Sequence, residues 1–247
     1  MKKAILVLLI LSLGKIVFAA DFSLSAGAGG LLGYNFTRYT IEGDGVKSTQ
    51  DMDRFNFGLF AFFDVTYGVL AVTYQRGDSI YAENMILGDS SGFSDGKGRG
   101  YERSIGISLM GKYPFKINES FSWFPMLGVE YQISLLQRRK SDDGDIVYDR
   151  TNGRTPEDMD KDGKPYPLSA WNACWINVGA GLDYNIAKPI FLRSELLFSF
   201  RLPTTYELSA LEVVKSQINV PSFKLAGLTG GPTLKLAAGY RFYSKAK

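Results

Sequence analysis

The stretch Ile176-Asn177-Val178-Gly179-Ala180-Gly181-Leu182-Asp183-Tyr184 alternates without a break. Ile176, Val178, Ala180, Leu182 and Tyr184 fall on one side, and Asn177, Gly179, Gly181 and Asp183 on the other. A period of two with one apolar face is the signature of a β-strand. The same grammar runs outward in both directions. Upstream, Trp123, Leu127, Val129, Tyr131, Ile133 and Leu135 oppose Gly128, Glu130, Gln132 and Ser134, while Phe22, Leu24, Ala26 and Ala28 oppose Ser23, Ser25, Gly27 and Gly29. Downstream, Leu196, Phe198 and Phe200 oppose Arg193, Glu195, Ser199 and Arg201. Segments around Phe55–Asp64, Leu70–Gln75, Ser104–Tyr113 and Thr233–Phe242 complete a set of eight. One of them is uneven. Phe60 and Phe62 share a face with Asn56 and Asp64, which calls for either a bulge or a filled interior.

The connections alternate in length. Asp64–Tyr67, Lys116–Ser120 and Asn185–Pro189 are tight, whereas Gly43–Asp53, Arg76–Gly100, Arg138–Ser169 and Pro203–Leu228 are long and polar. Sorting by parity is what a membrane barrel does, with turns at one rim and loops at the other. The pattern therefore predicts an all-β chain, an eight-stranded antiparallel up-and-down transmembrane β-barrel exposing four loops. Tyr113, Tyr184 and Tyr240 end the strands that run toward the tight turns, and predict an aromatic girdle at that rim. Glycines on the inner face let a narrow barrel close without crowding.

Composition removes whole classes of function. The 247 residues contain no histidine and a single cysteine, Cys174. Ser-His-Asp triads, Cys-His dyads, zinc fingers and HExxH sites are excluded, as is an intrachain disulfide. Cys174 lies between Trp171 and Trp175 and reads as a small packed hydrophobe. No Asp-Thr-Gly and no phosphate-binding loop occurs, so the expectation is a protein that is not an enzyme. Of the 28 basic residues, Lys2, Lys3 and Lys15 lie in the first twenty, which carry no acid; 25 basic and 25 acidic residues remain. With no net charge there is no argument for a nucleic-acid partner.

Those first twenty residues read as an address. Met1-Lys2-Lys3 is a positive start, Ala4 to Leu13 is uncharged and apolar, and Val17-Phe18-Ala19 is a cleavage site. The expected organisation is a signal peptide over residues 1–19 and a barrel domain over 20–247.

The last strand reads Leu234-Lys235-Leu236-Ala237-Ala238-Gly239-Tyr240-Arg241-Phe242. Together with the export signal, the eight strands and the loop parity, it resembles the small eight-stranded outer-membrane β-barrel proteins of the OmpA, OmpX and OmpW kind, across most of residues 21–243. The resemblance implies a monomer in the outer-membrane lipid of a diderm bacterium. It also implies that Tyr240 and Phe242 form the signal read by the outer-membrane assembly machinery. Five residues, Tyr243 to Lys247, follow where such barrels often stop.

Two groups of residues are candidate sites. Alternation turns Lys112, Glu130, Asp183, Arg193, Glu195, Lys235 and Arg241 into the lumen. An eight-stranded barrel is only wide enough for side chains to fill, so these charges must pair or meet water. They form either a salt-bridged plug, in which Glu195 partners Lys235, or the lining of a polar path. The second group is Asp158, Asp160 and Asp162, followed by Gly163. Alternate carboxylates before a glycine open a calcium loop, but the twelfth position is Ser169 where an EF-hand has glutamate. Calcium is thus the one cofactor the sequence suggests; otherwise it suggests none.

Three functions remain open. The leading one is a structural or interaction role, with loops contacting an extracellular ligand or surface. The second is a small channel or transporter for ions or small apolar solutes, for which Phe60, Phe62 and Met126 inside the barrel are suggestive. The third, a soluble periplasmic ligand-binding barrel, requires apolar residues inside and polar ones outside.

Overall fold

The computed structural model describes residues 22–43, 46–87, 92–141, 144–149, 167–205, 207–208 and 224–245. The strands are β1 (Phe22–Gly43), β2 (Val46–Val65), β3 (Gly68–Leu87), β4 (Gly92–Lys112), β5 (Phe115–Lys116), β6 (Phe121–Ser141), β7 (Gly144–Asp149), β8 (Ala173–Ala187), β9 (Ile190–Arg201) and β10 (Lys224–Lys245). A 3₁₀ turn, Leu168–Trp171, packs back on the barrel through Leu168 and Ala170.

Eight long strands close a ring. β1 pairs with β2, β2 with β3 and β3 with β4. β4 then pairs with β6, β6 with β8 and β8 with β9. β9 pairs with β10, which returns to β1. All pairs are antiparallel. β5 and β7 are short additions along β6. Across the height that all eight long strands share, each is paired on both sides and no sheet edge is left, which is the condition for a sheet to sit in lipid.

The faces follow the period of two. Leu59, Leu109 and Leu127 point outward and are 68%, 63% and 61% exposed, while Asn56, Ser108 and Asn177 point inward and are buried. A soluble wall this apolar would associate; in a bilayer it is the surface that lipid covers. The soluble ligand-binding barrel is therefore rejected. No helix among the described residues is long and apolar enough to cross a membrane, and the chain crosses with strands. Phe60 and Phe62 are explained by a filled interior. β2 runs against both neighbours without a register shift, and both rings are buried inside.

Tyr113, Tyr184 and Tyr240 lie outward at one rim. Tyr113 is joined there by Tyr67 (ring centroids 5.8 Å) and Phe115 (5.0 Å), Phe115 stacks on Trp123 (4.9 Å), and Phe121 stacks on Tyr184 (4.7 Å). Phe242 stacks on Phe63 at 6.1 Å. These rings mark the interface on the side of the tight turns.

The loop expectation needs correction. Gly43–Asp53 and Arg76–Gly100 are strand over most of their length, because β1 pairs with β2 as far as Gly43 and Val46, and β3 with β4 as far as Leu87 and Gly92. β6 and β7 likewise form a hairpin at the start of Arg138–Ser169. Strands of 20 to 22 residues are far longer than the bilayer requires. At about 3.3 Å per residue and a tilt near 40°, they rise roughly 50 Å against an apolar band of about 25 Å. The excess projects as hairpins past the rim opposite the girdle. Their sequences are largely polar, yet the ladder runs on through them.

Leu127 lies midway along β6 between Trp123 at the girdle and Tyr131 near the opposite interface. Leu127→Arg is expected to cost about 2–4 kcal/mol in urea unfolding from lipid vesicles, and Ile117→Arg in the tight turn under about 1 kcal/mol. Equal costs would contradict the position of the band.

Candidate functional site

The tight turns decide which charges meet. Asp64 is the last residue but one of β2, Lys112 ends β4, Asp183 lies near the end of β8 and Arg193 near the start of β9. All four point inward, so four strands deliver one charge each to the girdle end of the lumen. Asp183 and Arg193 are direct partners across β8 and β9. Arg193 Nε donates to Asp183 Oδ1 at 2.7 Å and Nη2 to Oδ2 at 2.8 Å, a bidentate pair. Nη2 also donates across the lumen to Asp64 Oδ2 at 2.5 Å. The same oxygen accepts from Lys112 Nζ at 2.6 Å. Two cations and two carboxylates form one neutral knot, and Arg193 is 2% exposed.

Aromatic rings wall the knot. The guanidinium of Arg193 lies 4.7 Å from the ring centre of Phe62, 5.0 Å from Phe124 and 5.3 Å from Phe191. The Lys112 ammonium lies 4.6 Å from Phe124. Desolvated cation–π contacts of this kind are worth about 2 kcal/mol each. Glycines make room for the rings. A Cβ at Gly27 would stand 2.6 Å from Phe62, one at Gly181 2.3 Å from Phe124, and one at Gly239 2.3 Å from Phe191. Phe60, Met110, Met126 and Leu197 extend this packing into an apolar belt.

Above the belt lies a polar cavity of about 30 Å³, lined by Glu130, Lys235, Asn35, Thr73, Asn177 and Trp175 among others. Its size suits one or two waters. A second polar layer follows. Arg54 pairs with Glu102, and Gln132 Nε2 donates to Glu102 at 2.6 Å and to Ser104 Oγ at 2.8 Å. Trp175 Nε1 donates to Gln132 Oε1 at 2.6 Å. Arg201 pairs with Glu207, whose carboxylate accepts from Thr204 N at 2.8 Å while its own N–H donates to Thr204 Oγ1 at 3.3 Å. That reciprocal pattern is a capping box, and it ties the start of the β9–β10 connection to the lumen wall.

All seven charges read from the alternation point inward, but their partners differ from expectation. Glu195 and Lys235 are opposed in register, yet no ion pair joins them among the described residues. Glu195 turns to Arg193, two residues back on the same face, with Oε1 3.9 Å from Nη1. Lys235 lies over Phe60 at 5.3 Å and reaches the cavity it shares with Glu130. Arg241 lies over Phe191 at 5.3 Å. Asp64, Arg54, Glu102 and Arg201 were not among the candidates. Arg54 keeps step with Asn56 and Asp64 just past the apolar part of β2, so continuing the alternation by two residues finds it. Asp158, Asp160 and Asp162 lie outside the described residues. Tyr240 and Phe242 are half exposed on the lipid face at the girdle.

A closed eight-stranded ring, apolar outside, ion-paired within and girdled by aromatic rings, is a transmembrane β-barrel. No protein-family model matches the chain, and no curated protein matches it in sequence. Among solved structures it is similar to the outer membrane protein OprG from Pseudomonas aeruginosa, at 13% identity over 91% of this chain and 97% of that one, with a TM-score of 0.45. It is also similar to Neisserial surface protein A, at 15% identity over 87% of this chain and 99% of that one, with a TM-score of 0.34. A third is Ail, the attachment invasion locus protein of Yersinia pestis, at 17% identity over 90% and 99%, with a TM-score of 0.27. The fold assignment rests on the ring itself.

The knot ranks its members. Asp64→Asn strips a carboxylate shared by Arg193 and Lys112 and should cost about 3–5 kcal/mol, as for a broken buried pair. Glu195→Gln, whose contact is long, should cost about 1 kcal/mol. Urea unfolding from vesicles measures both, and the reverse order would contradict the assignment of partners.

Proposed function

We propose that the protein is a closed surface barrel of a diderm outer membrane, without enzymatic activity, which holds polar hairpins outward as a structural and interaction platform. The observation that carries this reading is the Arg193 knot, which fills the girdle end of the lumen with buried, mutually neutralised charge. A selective pore is lined by rings of one sign and leaves room for a hydrated ion. Here the signs are balanced, and Phe60, Phe62 and Met126, which suggested an apolar path, belong to a packed belt. The hairpins that project past the bilayer, rich in polar residues, are the part of the chain offered to an extracellular partner. The ring has no free edge within the membrane, which supports a monomer. Export by cleavage after Ala19 and recognition of Tyr240 and Phe242 by the assembly machinery complete the proposal.

Planar-bilayer recording tests it. The refolded wild type is expected to give no steady conductance, and Arg193→Ala to give intermittent openings. A large steady conductance from the wild type would overturn the closed platform and favour the channel.

A further inference from the structure

Two arginines oppose each other on the outside of the barrel. Arg76 of β3 and Arg103 of β4 are direct register partners, and both side chains face outward. Like charges placed opposite one another across an antiparallel pair are destabilising. The Tyr101 ring lies between them, 4.5 Å from the guanidinium of Arg76 and 5.3 Å from that of Arg103, whose Nε donates to the Tyr101 hydroxyl. Arg76 has an exposed contact with Asp78 at 3.3 Å. Arg103 has no carboxylate within ion-pair distance among the described residues. Arg99, Arg138 and Asp78 line the recess just beyond, so arginines outnumber carboxylates along its lining.

The height of the patch matters as much as its charge. Arg76 stands two residues beyond Tyr74, at the edge of the apolar band away from the girdle, where lipid headgroups lie. From the arginines an open groove of about 650 Å³ runs along the lipid-facing wall, sided by Leu32, Leu59 and Leu236. Gly30 forms part of its floor. A Cβ there would meet nothing closer than the Gly58 carbonyl oxygen at 3.8 Å, so the groove is open where a side chain would otherwise fill it.

We propose that this is a binding site for a phosphorylated lipid of the hairpin-side leaflet, its phosphate held between Arg76 and Arg103 and an acyl chain lying over Gly30. The placement in that leaflet rests on the outward orientation of the hairpins proposed above. A phosphate suits the pair because its oxygens can accept from two guanidinium forks at once, whereas a single arginine satisfies a carboxylate. The anion also removes the like-charge opposition, which no neutral lipid does.

The test titrates diphosphoryl lipid A into the refolded barrel in neutral detergent micelles, with bound lipid counted by native mass spectrometry and folding verified by heat-modifiable gel mobility. Arg76→Gln/Arg103→Gln is expected to weaken binding about tenfold or more, the loss of charge-assisted hydrogen bonds. Gly30→Leu, which fills the groove from the other end, should weaken it while leaving both arginines in place. Arg38→Gln, an exposed arginine paired with Asp51 and Asp53, should bind as the wild type does. Lipid A should raise the melting temperature of the wild type but not of Arg103→Gln, which without lipid should be at least as stable as the wild type; a purely structural arginine would lower it in both conditions. Unchanged binding in the double variant overturns the proposal, as does displacement of lipid A by inorganic phosphate, which would make free phosphate the ligand. Micelles have no leaflets, so these outcomes do not depend on orientation. An error in orientation would appear separately, as protease cutting the Lys116–Ser120 turn on intact cells.

Discussion

The bidentate pair of Arg193 with Asp183, closed from across the lumen by Asp64, is the interaction on which the rest of the molecule depends. A barrel of eight strands has an interior that side chains must fill, and half the residues of every strand point into it. Unpaired charge there is prohibitive, and paired charge is acceptable only when geometry and hydrogen bonds are nearly complete. The knot approaches that condition by using both carboxylate oxygens of Asp183, one oxygen of Asp64 twice, and three aromatic faces, while Arg193 Nη1 is left without a hydrogen bond, 3.9 Å from Glu195 Oε1. Because its members come from β2, β4, β8 and β9, it fixes the register of strands on opposite sides of the ring. A one-residue slip in any of them would turn its charge into lipid.

The aromatic walls of the knot are possible only because glycines stand across from them. Gly27, Gly181 and Gly239 give up side chains so that Phe62, Phe124 and Phe191 can lie flat against the inner wall. The same economy on the outside has a different result: Gly30 faces lipid and opens a groove instead of seating a ring. Inside, then, space is taken up by packing that closes the barrel. Outside, an open groove and a pair of opposed arginines, of which only Arg76 has a carboxylate partner among the described residues, lie together on the wall, and that coincidence is what marks Arg76 and Arg103 as a ligand site.

Much of this was legible in the sequence. Alternation located all eight long strands and turned Lys112, Asp183 and Arg193 inward, because burial on one face and lipid on the other impose a strict period of two. It failed where that constraint relaxes. Past the bilayer no lipid imposes an apolar face, the apolar period fades, and Gly43–Asp53 and Arg76–Gly100 read as loops although their backbones stay paired. Arg54 and Glu102 lie in that fading zone and escaped notice for the same reason. Opposition in register also proved a poor guide to ion pairing. Glu195 and Lys235 face each other, but long side chains choose partners along the lumen axis as readily as across the ladder, and Arg193 and Phe60 compete successfully for them.

Hydrogen exchange at the Arg193 Nε–H, followed by NMR in the refolded and isotopically labelled barrel, tests the knot most directly. A buried Nε–H donating to Asp183 opens to water only when the barrel end itself opens, so it should exchange far more slowly than the Nε–H of the exposed Arg38. Equal rates for the two arginines would mean that water reaches Arg193 freely, and would contradict a lumen closed by buried ion pairs.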